Sequence, residues 1–252
     1  MDRPQGGGLD EPAARPQGLA AARVGLPEEA RAQPAGPAPQ ACQGGERRGA
    51  GGVPKNLAQQ VEERRAENPD RPVEVWAFDE HRVGPKPIAR RQWAPIGQRP
   101  IALGQHRFEW LYVYGFVHPG TGEVVWFLCN GVSTVLLSAV LAAFATAVGA
   151  GPDKLVVLVL DNAGWHSSEQ LVVPDGLRLA FLPPYSPELQ PAERLWPLAN
   201  EAVANQGFAT LKELDEALGK RCCTLAGLPE LIKGHTNYSW WPKPSQVTPA
   251  LN

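Results

Sequence analysis

No aromatic side chain occurs in the first 52 residues, although the whole chain of 252 residues has eight Trp, four Tyr and seven Phe. That stretch holds 11 Gly, 11 Ala and 7 Pro, with six basic and six acidic residues. Such a composition cannot bury enough apolar surface to offset the entropy of ordering, so a disordered leader is expected over residues 1–52. It also lacks a continuous apolar run, which argues against a secretory signal. Cysteine is scarce. Cys42, Cys129 and the neighbours Cys222 and Cys223 fit neither a zinc spacing nor a disulfide framework, so a reducing, cytoplasmic setting is expected. Internal repeats are absent as well.

Charge is missing from two places, with opposite meanings. Val124 to Pro152 runs 29 residues without a charged side chain, long enough to suggest a membrane span. Asn130-Gly131 splits it into an aromatic-rich strand and an Ala/Leu/Val helix dotted with Ser133, Thr134, Ser138 and Thr146, which is the pattern of a buried core; no membrane is expected. From Arg82 to Arg107 the missing sign is negative: Arg82, Lys86, Arg90, Arg91, Arg99 and Arg107 occur without one acid, and Trp93 lies among them. The net charge of -2 rules out a uniformly basic coat, but this segment suits a polyanion backbone, because neutralising phosphates releases counterions. A solvated surface loop is the plainer reading.

Residues 54–67 read as a short polar helix with Leu57 and Val61 on one side, stopped by Asn68-Pro69. A strand follows over 73–79, then a Gly/Pro-broken basic loop, then strands over 110–117 and 123–129 joined by His118-Pro119-Gly120-Thr121-Gly122. A buried helix is expected over 133–148, a fourth strand over 155–160, a short helix near 167–171 and a fifth strand over 177–182. Pro191 opens a helix to about Ala204, kinked at Pro197, and Thr210 with Glu213 forms a capping box for a last helix to about Leu225. Hairpins make the first three strands antiparallel neighbours, and the crossover helix returns the fourth beside the first. The expected fold is therefore α/β: a mixed five-stranded sheet flanked by helices, in the order 3-2-1-4-5. The expected domains are the leader (1–52), a linker helix (53–72), a catalytic domain (73–230) and a C-terminal tail (231–252).

Three acids stand at telling positions in that arrangement. Asp79 ends the run Val73-Glu74-Val75-Trp76-Ala77-Phe78-Asp79-Glu80, and Asp161 ends Leu155-Val156-Val157-Leu158-Val159-Leu160-Asp161-Asn162. Parallel neighbours would set these two acids about 4.8 Å apart at one sheet edge. Glu193, third in a helix opened by Pro191, sits where the helix dipole favours negative charge. Close carboxylates repel, and one would take up a proton unless a divalent cation resolves the conflict. Mg²⁺ or Mn²⁺ accepts hard oxygen ligands and keeps open water positions, which suits in-line phosphoryl transfer. Asp79, Asp161 and Glu193 are thus the candidate catalytic and metal-binding residues. Each has a plainer reading as a strand-end, turn or dipole acid. His166 and Asn162 are auxiliary candidates, and strand alternation turns Glu80 away from Asp79. Arg82, Lys86, Arg90, Arg91, Trp93, Arg99 and Arg107 are the candidate DNA-binding residues.

The segments Phe78-Asp79-Glu80, Arg91-Gln92-Trp93-Ala94-Pro95-Ile96-Gly97-Gln98-Arg99-Pro100, Leu160-Asp161-Asn162-Ala163-Gly164-Trp165-His166 and Leu182-Pro183-Pro184-Tyr185-Ser186-Pro187-Glu188-Leu189-Gln190-Pro191-Ala192-Glu193-Arg194-Leu195-Trp196 resemble the DDE transposases of bacterial insertion sequences in the mariner superfamily. The likeness spans about residues 55 to 230 and is most specific in its last motif. It implies a ribonuclease H-like catalytic domain whose Asp79, Asp161 and Glu193 bind two Mg²⁺, cutting DNA at element ends and joining the freed 3′-hydroxyl to a target. Three positions depart from the family pattern: Gln190 replaces Asn, Ile96 replaces a common basic residue, and Pro197 interrupts the last motif's helix. Members usually begin with helix-turn-helix modules, which residues 1–52 are not expected to form. DNA at element ends and at the target, a helix-turn-helix partner protein and a homodimer are the expected partners. The rival readings are a ribonuclease H-like nuclease without strand transfer and an inactive DNA-binding remnant.

Overall fold

A computed structural model describes residues 53–91, 93–97, 108–184 and 186–243. Its elements are α1 (Val53–Glu67), β1 (Val73–Val83), β2 (Leu111–His118), β3 (Glu123–Cys129), α2 (Thr134–Val148), β4 (Leu155–Leu160), β5 (Leu177–Phe181), α3 (Leu195–Asn200), α4 (Leu211–Ala226) and α5 (Pro229–Thr236). Two 3₁₀ turns, Pro187–Leu189 and Pro191–Arg194, precede α3.

The strands form one sheet in the order β3-β2-β1-β4-β5, the order expected from the sequence. β1 runs antiparallel to β2 and parallel to β4, and β4 runs parallel to β5. Two apolar layers cover the sheet, sorted by the period-2 alternation of strand side chains. Trp76, Phe78, Phe116, Leu158 and Leu160 face α2. Val75, Ala77, Val113, Val157 and Val159 face the opposite layer, built from α1, α3, α4 and α5. Odd-numbered residues of β1 and β4 therefore share the side that carries α3.

The uncharged run from Val124 to Pro152 splits, as its composition demands, into β3 and α2. Ser133 caps α2 by accepting the Leu136 N–H at 3.1 Å, and Gly149 ends it in a left-handed conformation at φ 68°. Leu136, Leu137, Val140, Leu141 and Phe144 are buried against the sheet, worth about 1.5–3 kcal/mol each in removed apolar surface. Among the described residues no helix is long and apolar enough to cross a membrane. Gly122, at φ 79° in the turn before β3, is needed for space as well: a Cβ there would lie 1.9 Å from the Pro229 carbonyl oxygen.

Several local expectations change. No helix forms near Ser167 to Leu171; the residues make turns. Five residues give too few hydrogen bonds to repay helix nucleation, and His166 is drawn back toward Asp161 instead. The helix expected from Pro191 begins as a 3₁₀ turn, becomes α-helical only at Leu195 and ends at Asn200. Pro197 consequently lies in the first turn of α3, where its missing N–H has no partner to lose, rather than inside a longer helix. The capping box at α4 is offset: Thr210 Oγ1 accepts from the Glu213 N–H, but Glu213 Oε2 reaches the N–H of Ala209. The folded unit also exceeds residues 73–230. Leu57 and Val61 of α1, Ile232 of α5 and Trp241 are buried in the same layer as α4. The leader over 1–52 lies outside the described residues.

Candidate active site

The ladder between β1 and β4 pairs Val73 with Leu155 and closes at Ala77 with Val159. Asp79 and Asp161 each lie two residues further on, so they leave the sheet level with one another and on the α3 side. β1 continues past β4 along β2, where Asp79 stands opposite Gly115. Glu193 comes from the second 3₁₀ turn. Gln190 fastens that turn to the sheet: its Nε2 donates to the Phe78 carbonyl at 2.9 Å, and its Oε1 accepts from the Ala192 N–H at 3.4 Å. The longer side chain at a position where Asn is usual spans from turn to strand. Asp79, Asp161 and Glu193 line one cavity of about 330 Å³, with Asn162, Pro183 and Gln190 also in its wall.

The three carboxyl groups differ in charge state. Burial first, and then the charges of Glu193 and Glu80, push Asp79 up to about 8, although the Trp196 indole N–H donates to its Oδ2 at 2.8 Å and pulls the other way. Glu193 is likewise raised, by burial and then by the charge of Asp161. Asp161 is lowered, chiefly by its hydrogen bond from His166. Its side chain is 55% exposed, and its Oδ1 also accepts the Ala163 N–H at 3.2 Å in an Asx turn.

His166 is 1% exposed and lies between two carboxylates. Nδ1 donates to Asp161 Oδ1 at 2.7 Å and Nε2 to Glu80 Oε1 at 2.9 Å, so both nitrogens carry protons. Burial opposes its charge, but the hydrogen bonds and charges of Asp161 and Glu80 outweigh burial and raise it to about 10. Glu80 does point to the other side of β1 from Asp79, as alternation requires; it also receives the Trp165 indole N–H at 3.2 Å. Its involvement was not readable from strand periodicity alone. The contacts of Trp196 and Gln190 with β1 carry no periodic signal either. A glycine at 115 inside an aromatic strand is a signal for Trp196: a Cβ there would come within 2.9 Å of the Trp196 ring.

The basic segment divides. Arg82 lies 4.3 Å from the Trp110 ring centroid, and Lys86, Arg91 and Trp93 are exposed. Arg90 is held against α3: its guanidinium donates to the Pro197 carbonyl at 2.7 Å, and its backbone exchanges hydrogen bonds with the Asn205 side chain. Arg99 and Arg107 lie outside the described residues.

As the side chains stand, no group of three His, Cys, Asp or Glu among the described residues surrounds a point closely enough to hold an ion. The donor set nevertheless fits a hard divalent cation: three oxygen ligands share one cavity, where burial first and neighbouring carboxylates second raise Asp79 and Glu193.

The family model described as DDE superfamily endonuclease matches residues 74–215. The uncharacterized protein y4pE/y4sA of Sinorhizobium fredii (strain NBRC 101917 / NGR234) is 36% identical over 115 residues, 45% of this chain and 81% of that protein. Among solved structures, the Mos1 transposase paired-end complex with left transposon end is similar at 17% identity and a TM-score of 0.44, covering 75% of this chain and 62% of that one. The catalytic domain of Mos1 mariner transposase is similar at 15% identity and a TM-score of 0.39, covering 73% and 92%. The chain thus spans under two thirds of the Mos1 transposase chain in the paired-end complex. With more than half of its residues matched by that family model, the chain belongs to the DDE superfamily endonucleases.

Proposed function

We propose that this chain is the catalytic part of a transposase, which cuts DNA phosphodiester bonds at element ends and joins the freed 3′-hydroxyl to target DNA. Asp79, Asp161 and Glu193 are the acids that would hold two Mg²⁺ or Mn²⁺. The observation that carries the reading is the meeting of three acids from separate elements in one cavity, where Asp79 is raised to about 8. Three carboxyl groups sharing one cavity, with only the Asp161 carboxylate paired to a cationic side chain among the described residues, suit a hard divalent cation. Bound cations would activate the attacking oxygen and stabilise the leaving one.

The chain's own residues orient these acids and guide DNA. Trp196 fixes the rotamer of Asp79, His166 that of Asp161, and Gln190 sets the 3₁₀ turn bearing Glu193 against β1. Arg82, Lys86, Arg91 and Trp93 form the approach for the phosphate backbone, with Arg99 and Arg107 on the same segment. A helix-turn-helix partner protein supplies end recognition, and two copies pair the two ends.

The test uses duplexes with pre-cut element ends, target DNA and Mg²⁺ or Mn²⁺. Joined products are expected. Hydrolysis alone would assign the chain to the nucleases, and DNA binding without either reaction would leave a binding remnant.

A further inference from the structure

We propose that Glu80, acting through His166, is a positioning residue that holds the Asp161 carboxylate in its working orientation. The inference rests on the function proposed above and extends it to a pair of residues behind the cavity.

The ladder that aligns the two aspartates stops at Ala77 with Val159, so backbone pairing no longer fixes the chain at Asp161. The Glu80–His166–Asp161 bridge occupies the place where the ladder is missing. Glu80 belongs to β1, on the side of the sheet away from the cavity, with its side chain 6% exposed. Both of its oxygens lie close to His166 Nε2, at 2.9 and 3.0 Å, and Trp165 Nε1 adds a third contact at 3.2 Å. The opposite edge of the imidazole meets Asp161 twice, at Oδ1 (2.7 Å) and at the backbone carbonyl (3.2 Å). The ring itself packs 5.6 Å from Phe78, one residue from Asp79. The loop after β4 is therefore braced against β1 through one side chain. Both donors to the Asp161 carboxylate go to Oδ1, from His166 and from the Ala163 N–H, which leaves Oδ2 to the cavity. An outer partner that orients a ligating group typically changes cation affinity, which a purely structural staple does not.

The experiment measures Mn²⁺ affinity by isothermal titration without DNA, alongside thermal melting and cleavage rates, for the full chain and four variants. His166→Phe keeps the ring packed on Phe78 but removes both donors, and Glu80→Leu removes the acceptor. Each is expected to weaken Mn²⁺ binding by about tenfold or more. Glu80→Gln retains an oxygen that accepts from Nε2 and is expected to stay within about threefold of the parent. The double variant His166→Phe/Glu80→Leu should bind no more weakly than His166→Phe alone, because both act along one path. If His166→Phe fails to fold, the contrast between Glu80→Leu and Glu80→Gln decides by itself. A folded Glu80→Leu with unchanged affinity, or losses that multiply in the double variant, would overturn the positioning role while leaving the proposed function standing. A parent chain that neither binds Mn²⁺ nor cuts DNA would overturn both.

Discussion

The indole N–H of Trp196 donates to Asp79 Oδ2 at 2.8 Å across 117 residues of sequence, over a β2 glycine that leaves the ring its space. A Cβ at Gly115 would lie 2.9 Å from the Trp196 ring and 3.2 Å from both Leu195 Cδ1 and the Trp126 ring. Gly115→Ala is therefore expected to cost about 1–3 kcal/mol by overpacking and to slow cleavage by displacing the Asp79 partner. Adding Trp196→Phe should restore part of the stability, because the smaller ring relieves the clash, but none of the rate, because the N–H is gone. Urea melts and single-turnover cleavage separate the two effects.

Cation binding should depend on pH through Asp79. Its carboxyl, raised to about 8, is mostly protonated at pH 7 and must lose that proton to act as a ligand. Mn²⁺ affinity is expected to rise up to about pH 8 and then level off. Calorimetry at pH 7 in buffers of different ionisation enthalpy should report release of close to one proton per binding event, and Asp79→Asn should abolish that release.

Stability of the cation-free chain should fall as pH rises, in two stages. Asp79 is raised from 3.8 to about 8, so its ionisation costs stability progressively across that window. His166 is raised from 6.5 to about 10, so its contribution is complete below 6.5 and is lost as pH climbs through 10. The second stage is on the order of a few kcal/mol. Chemical denaturation at pH 5, 7 and 9.5 should show the decline, and Asp79→Asn should flatten only its lower part.

Asp161→Asn should preserve the fold and stop the chemistry. The amide oxygen still accepts from His166 and Ala163, so near-native circular dichroism is expected. Cleavage should drop by more than about 10²-fold, the loss typical of removing one charge-stabilising group. Retained activity in a folded variant would remove Asp161 from the proposed set.

Within the basic segment, Arg91 and Arg90 should behave differently. Arg91 is exposed, and Arg91→Ala should reduce the salt slope of DNA binding by about one with no change in melting. Arg90 ties the segment to α3 through Pro197 and Asn205, so Arg90→Ala should lower thermal stability as well as binding. An unchanged slope for Arg91→Ala would make the segment an ordinary solvated loop.

Much of the fold could be read from the chain because its signals are local. The continuous apolar run at 155–160 is buried at every position, and the alternation in β1 sends Asp79 and Glu80 to opposite sides. The meander followed by a helical crossover left β4 only one suitable place, beside β1. Contacts that hold the acids were hidden for the converse reason. Trp196 with Asp79, Gln190 with Phe78 and His166 with Glu80 join residues 86 to 117 positions apart, and no periodicity encodes them. The helix boundary at Leu195 was hidden as well, because a 3₁₀ turn and a first α turn share the same proline and acid preferences.

The pleat of β1 places consecutive acids on opposite sides of one backbone, and their roles therefore follow parity. Inserting or deleting a single residue between Val73, the first ladder partner of Leu155, and Asp79 would exchange the two: the brace would turn outward and the pocket acid would be shut in behind the sheet. A change of two residues would keep the sides but carry the pair off the end of the ladder. Few mutations that alter no side-chain chemistry could disable this chain so completely as a one-codon slip in its first strand.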